Sequence, residues 1–184
     1  MAETRKTHRL MSVEEYLELE KEAPERHEFV GGVVHAMTRP TLRHNRIAGN
    51  IYRRLADKAV GGPCRVYIEN AKVRIEDDIF YYPDIMAVCG PESDDAYFET
   101  DPCLLVEVVS PSTEHIDRRE KFAFYQSIPT LKAYLIVEQN RPVVERFFRD
   151  EEGEWGRAAH FETGSFPVPC PEMRLSLAEI YEGL

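Results

Sequence analysis

The run Leu104-Leu105-Val106-Glu107-Val108-Val109 admits few interpretations. Aliphatic at every position but one, and β-branched at Val106, Val108 and Val109, it reads as a strand buried by its neighbours. Side chains alternate faces along it, so Leu105, Glu107 and Val109 share one face while Leu104, Val106 and Val108 share the other. The carboxylate of Glu107 is costly to bury there unless something compensates it. A second run, Tyr82-Pro83-Asp84-Ile85-Met86-Ala87-Val88, has the same form: an apolar strand with one acid, opened by a proline whose fixed φ and missing donor suit a strand start. A metal ion shared by Asp84 and Glu107 is the most economical compensation.

The rest of the chain builds a sheet around these strands. Ser12-Val13-Glu14-Glu15 has the capping-box form and predicts a helix from Val13 to about Lys21, ended before Pro24. His27 to Val30 and Val33 to Met37, separated by Gly31-Gly32, predict a tight hairpin. Ile47, Ala48, Ile51, Tyr52, Leu55 and Ala59 recur at helical spacing within a helix from Thr41 to about Ala59. Strands are predicted at Cys64 to Glu69, Ala71 to Ile75, and Tyr82 to Val88. After Leu104 to Val109, Ser110-Pro111-Ser112-Thr113 signals a turn into a helix from about Ile116 to Ser127. Further strands follow at Ala133 to Val137, Val143 to Phe148 and Ala158 to Phe161, with a polar hairpin from Glu151 to Gly156 and a last helix opened by Ser176. This order predicts an α/β protein with a mixed sheet and helices on its faces. Its 184 residues fit one domain spanning 1–184, residues 1–11 forming a flexible N-terminal tail.

If the two acid-bearing strands are adjacent, Asp84 and Glu107 converge on one cation, with the Val108 backbone carbonyl as a third ligand. Oxygen donors of this kind suit Mg²⁺ or Mn²⁺ rather than zinc. The helix after Glu107 supplies a cation. A strand continuing ~10 Å past Glu107 and a helix returning ~7.5 Å bring Lys121 back to the height of that acid. Lys121 also lies on the stripe of Asp117, Phe124, Tyr125 and Ile128, which faces the sheet. Its ammonium is then placed to orient an attacking water or to stabilise charge on a phosphoryl group. The plainer interpretation makes Asp117 and Lys121 a helical ion pair that Glu107 joins to satisfy its burial.

Charge and cysteine usage set outer bounds. The formal charge of -10 weighs against a general nucleic-acid coat protein but permits a nuclease with a local basic rim, for which Arg39, Arg43 and Arg46, then Arg53, Arg54 and Lys58, are candidates. Cys64, Cys89, Cys103 and Cys170 show no Cys-x-x-Cys spacing, and two of them sit in or beside apolar strand-like runs, as reduced buried thiols do, which predicts a reducing compartment. With no signal-like segment and no run of apolar residues long enough to span a bilayer, the expectation is a cytoplasmic protein with no membrane association.

Tyr82-Pro83-Asp84, the Leu-Val-Glu-Val-Val-Ser-Pro-Ser-Thr run around Glu107, Asp117-Arg118-x-x-Lys121, and His27-Glu28-Phe29-Val30-Gly31-Gly32 with His44 together resemble the Uma-type endonuclease family, a restriction-endonuclease group within the PD-(D/E)XK nuclease superfamily. The resemblance runs from about Ser12 to the C-terminal helix. It implies a restriction-endonuclease-like core in which Asp84 and Glu107 hold a divalent metal and a lysine assists phosphodiester hydrolysis. The superfamily's Glu-x-Lys signature is broken here by Val109, and in the Uma-type group the lysine has moved to the helix, matching Lys121. Glu28 and His44 are accessory candidates, since a group from the first core helix often completes such a site; a strand-edge acid and a helix-end histidine are the plain alternatives. Arg43 and Arg46 are candidates for binding substrate.

The expected function is a metal-dependent endonuclease acting on DNA. Two alternatives stay open: a catalytically lapsed nuclease fold that binds nucleic acid or a protein partner, and a metal hydrolase acting on another phosphoester. A homodimer would suit cleavage of both strands.

Overall fold

In the computed structural model, residues 9–37, 39–109, 116–156 and 159–184 are described. The Ser110 to Thr113 turn signal, residues 1–8 and Ala158 lie outside them. The chain forms α1 (Val13–Glu22), β1 (His27–Val30), β2 (Val33–Ala36), α2 (Leu42–Ala59), β3 (Arg65–Ile68), β4 (Lys72–Arg74), β5 (Ile79–Tyr81), β6 (Ile85–Val88), β7 (Phe98–Glu99) and β8 (Leu104–Val109). A π-helical turn, Ile116–Lys121, runs into α3 (Phe122–Tyr125). Then come β9 (Ala133–Glu138), β10 (Val144–Phe148), β11 (Ala159–Phe161), β12 (Ser165–Pro169), β13 (Glu172–Ser176) and α4 (Leu177–Ile180).

The strands form two main sheets and a hairpin. One sheet runs β2-β1-β5-β4-β7, the other β11-β10-β9-β8-β6-β3, and β12 pairs only with β13. The expected strand Tyr82 to Val88 is shortened to β6 and preceded by an unexpected strand, β5: β5 belongs to the first sheet, β6 to the second, and Tyr82-Pro83-Asp84 carries the chain between them. Pro83 has no N–H for either ladder, so the crossing leaves no donor unpaired at that residue. The helix expected from Ile116 to Ser127 is also different, since its first six residues make the wider π turn.

β8, which carries Glu107, and β6, which Asp84 immediately precedes, are interior strands of the second sheet. β8 is parallel to β9 and antiparallel to β6, and all six of its residues are buried. Leu104, Val106 and Val108 pack with Ile47, Ile51 and Leu55 of α2 and with Phe166 and Leu175 of the terminal hairpin. On the opposite face, Leu105 and Val109 pack with Tyr81, Tyr125 and Ile128, and Glu107 projects between them. A third cluster, Tyr16, Phe29 and Phe80, seats α1 on the first sheet.

Local signals hold where the chain makes its own contacts. Ser12 and Ser176 each cap a helix reciprocally with the glutamate three residues on, Glu15 and Glu179. Gly31 and Gly32 have φ of 57° and 88° and join β1 to β2 in the register Val30↔Val33, the turn that two left-handed residues make. The expected tail is tied at its end, where Met11 N–H donates to the Gly32 carbonyl at 2.9 Å. The cysteines depart from expectation: Cys64 pairs with Cys89 and Cys103 with Cys170, because strand register brings together residues far apart in sequence. Among the described residues, no helix is long and apolar enough to cross a membrane.

Candidate active site

The β6–β8 register pairs Ile85 with Val106, so one residue further along Asp84 stands across from Glu107. Cross-strand neighbours share a face, which brings both acids to the side where the π turn packs. Asp84 Oδ2 accepts the Val108 N–H at 2.7 Å. In an extended strand the N–H and C=O of one residue address the same neighbour, so the Val108 carbonyl also faces that edge.

Lys121 is the centre of the arrangement. Its Nζ lies 3.1 Å from Glu107 Oε1, 3.2 Å from Asp117 Oδ1 and 2.9 Å from Glu28 Oε1. The contact with Asp117 spans one helical turn, that with Glu28 reaches across to β1, and the lysine is 6% exposed. Burial works against the lysine's charge, but Glu107, Glu28, Tyr125 and Asp117 outweigh it and hold its pKa well above the usual lysine value. Glu107 moves the other way from an ordinary carboxylate: burial raises its pKa, Lys121 opposes the rise, and the charges of Asp117, Asp84 and Glu28 add to it.

His44, in the first turn of α2, approaches Asp84 from the other side, its Nε2 3.0 Å from Oδ2. Thr41 caps that turn by accepting the His44 N–H, and its hydroxyl donates to the buried Gln139. Burial lowers the His44 pKa, yet the hydrogen bond to Asp84 and its charge, with Glu69 and Asp117 behind it, leave the pKa raised.

The structure thus gathers Asp84, Glu107, Lys121, Glu28 and His44 in one place. Arg43 and Arg46 lie on the exposed face of the same helix turn as His44, with Arg43 Nε donating to the Gln139 carbonyl. Arg53 and Arg54, part of the expected basic rim, are instead engaged by Glu182 and Glu179. Asp117 makes the helical ion pair with Lys121, joined by Glu107, that the plainer interpretation expects, and it is buried. One participant was not anticipated: Tyr125 donates its hydroxyl to Glu107 Oε1 at 3.0 Å. A tyrosine on an apolar helical stripe reads as core, and nothing in its spacing marks the hydroxyl as a partner of Glu107.

The donors are of the chemical type that a hard divalent cation takes. Glu28, Asp84, Glu107 and Asp117 bring four carboxylates against the two cations that Lys121 and His44 can supply. When all are ionised, the excess of two negative charges equals the charge of one such ion, and each acid offers only oxygen. Glu28 Oε1 is buried without a hydrogen bond, its contact with Lys121 being one of charge alone. Among the described residues, no three of these acid and imidazole groups bring ligand atoms within 4.8 Å of one another; the acids close on the lysine instead.

Comparison with known proteins agrees with this architecture. A family model, Uma2, described as "Putative restriction endonuclease", matches residues 13–178. The chain is 33% identical over 176 residues to the uncharacterized protein slr1290 of Synechocystis sp., covering 95% of this chain and 93% of that one. A second uncharacterized Synechocystis protein, sll1609, is 29% identical over 153 residues, with 81% and 86% covered. Among solved structures, a "putative nuclease belonging to DUF820" from Anabaena variabilis superposes with a TM-score of 0.74 at 16% identity, covering 93% of this chain and 97% of that one. At that identity the likeness concerns the fold.

Proposed function

Since the chain belongs to the Uma2 restriction-endonuclease family, we propose that it hydrolyses DNA phosphodiester bonds with the help of Mg²⁺ or Mn²⁺. The observation that carries this reading is a buried lysine held by three acids, Glu28, Glu107 and Asp117, with a fourth, Asp84, standing across from Glu107 and paired with His44. Restriction-endonuclease-like families usually use divalent metals, and the all-oxygen donor set suits one.

Asp84 and Glu107 would hold the cation, with the Val108 carbonyl beside them. When bound, the cation supplies Lewis acidity and lowers the pKa of a water. Lys121 places its positive charge where negative charge grows on the phosphoryl oxygens. Tyr125 fixes one oxygen of Glu107, and His44 fixes the Asp84 carboxylate, so both acids are held in orientation. Glu28 balances Lys121 from β1. Arg43 and Arg46 offer exposed charge to the flanking phosphates.

A plasmid-relaxation assay tests the reading. Wild type should nick supercoiled DNA with Mg²⁺ or Mn²⁺ and not with chelator, whereas Glu107→Gln and Lys121→Met should each lose at least ~100-fold in rate. Equal cleavage by wild type and Glu107→Gln would sink the assignment, and metal-dependent DNA binding without cleavage would point to a lapsed nuclease.

A further inference from the structure

The four cysteines come from four separate segments; three of their sulfurs meet at one point, and the fourth, that of Cys64, is joined to the group through Cys89. Cys64 precedes β3 and Cys89 follows β6, and the register Arg65↔Val88 continued by one residue sets them directly opposite each other. Cys103 precedes β8, its N–H bonded to Ala87, and Cys170 lies in the turn between β12 and β13. The sulfurs are paired Cys64 with Cys89 and Cys103 with Cys170, and the two pairs touch: Cys89 Sγ lies 3.3 Å from Cys170 Sγ. The sulfurs of Cys89, Cys103 and Cys170 all lie within 4.8 Å of one another. Mutual contact of this kind is what the ligands of one ion require.

We propose that Cys64, Cys89, Cys103 and Cys170, when reduced, form a tetrathiolate site for one Zn²⁺. Four thiolates around zinc stand about 3.8 Å apart, the edge of a tetrahedron with ~2.3 Å metal–sulfur bonds. That spacing suits a single ion; an iron–sulfur cluster, several atoms wide, holds its cysteines further apart. Soft sulfur donors also separate this site chemically from the oxygen donors of the acids. The paired sulfurs are its oxidised, metal-free form. A dithiol reductant opens each disulfide with two electrons and two protons while closing to its own disulfide, and one Zn²⁺ then displaces four thiol protons.

Its place in the fold gives such an ion a task. Cys89 is five residues along from Asp84 and Cys103 four residues before Glu107, so the sulfurs lie roughly 13–17 Å from the acids at the far ends of the same two segments. An ion there ties β3, β6, β8 and the terminal hairpin together and fixes the register that sets Asp84 opposite Glu107.

The test is the metal content of the full chain, purified without chelator in dithiothreitol and desalted under argon. About one zinc per chain is expected by elemental mass spectrometry, retained in Glu107→Gln and lost in Cys170→Ser. Exchange for Co²⁺ should give a near-ultraviolet thiolate-to-cobalt charge-transfer band and tetrahedral ligand-field bands. Because Cys170 is buried and its replacement can harm folding, wild type carries a second measurement: mercurial titration should release one zinc per four thiols consumed. Reduced, folded protein with four free thiols and no zinc overturns the proposal. So does a mass that stays four hydrogens short of the all-thiol chain in reductant. Iron with visible cluster absorption overturns the single-ion assignment.

Discussion

His44 and Asp84 hold each other through one hydrogen bond at the edge of the acid cluster, with side chains 12% and 15% exposed. Burial alone would favour the neutral imidazole; the carboxylate reverses this and raises the pKa. With the folded value above the unfolded one, the pair's contribution to stability is complete below the unfolded histidine value of about 6.5, and is lost as pH rises through the folded pKa. Asp84→Asn removes the charge and leaves the burial, so the His44 pKa should fall. An NMR titration of the imidazole in metal-free protein checks it, and an unchanged midpoint would show that Asp84 does not control the proton.

The β1–β2 hairpin shows how an element delivers a residue to the site, since Glu28 on β1 reaches Lys121 only if the turn is made correctly. The two turn glycines are not equivalent. A Cβ on Gly32 would meet Leu10 Cβ at 2.7 Å and the Met11 carbonyl at 3.3 Å, in addition to the strain of φ 88°. At Gly31, with φ 57°, the nearest atom is Asp78 Oδ2 at 4.0 Å, and asparagine tolerates that conformation. Gly32→Ala should therefore cost about 1–3 kcal/mol, and Gly31→Asn well under ~1 kcal/mol. Urea unfolding of both variants decides it, and equal losses would mean that backbone strain, not the contact with Leu10, dominates.

Legibility differs by element for related reasons. Helix caps and the glycine turn depend on neighbours in sequence and could be read directly. The change of sheet between β5 and β6 could not, because Tyr81 and Ile85 both lie in apolar runs and only pairing partners reveal that they serve different sheets. The β12–β13 hairpin was hidden by Pro167, Pro169 and Pro171, which argue against a central strand and suit an isolated ribbon well. At the site, Asp84, Glu107 and Lys121 stood out because each is a charge set in an apolar pattern, while Tyr125 and the meeting of the cysteines depend on register, which no single segment encodes.

At the scale of the whole molecule, the six-stranded sheet separates two chemistries, acids at one end of β6 and β8 and sulfurs at the other. For the proposed DNA substrate, the net charge of -10 puts weight on basic groups not paired with acids, and with Arg53 and Arg54 engaged by the C-terminal acids the exposed turn bearing Arg43 and Arg46 is the stronger candidate surface. On the proposed function, the excess acid would also make the cation a folding ligand. An ion that binds only the native chain stabilises it by RT ln(1 + [L]/Kd), roughly 2.7 kcal/mol at a hundredfold excess over Kd. Mn²⁺ should accordingly raise the melting temperature of metal-free wild type in proportion to the logarithm of its concentration, and Asp84→Ala should abolish the rise. Protons compete for the same oxygens, and burial has already raised the Glu107 pKa, so the Mn²⁺ effect should be largest above that pKa and shrink as pH falls through it. Thermal melts across a pH and Mn²⁺ grid measure both; the same response in wild type and Asp84→Ala would place the ion elsewhere and remove the acids from the metal site.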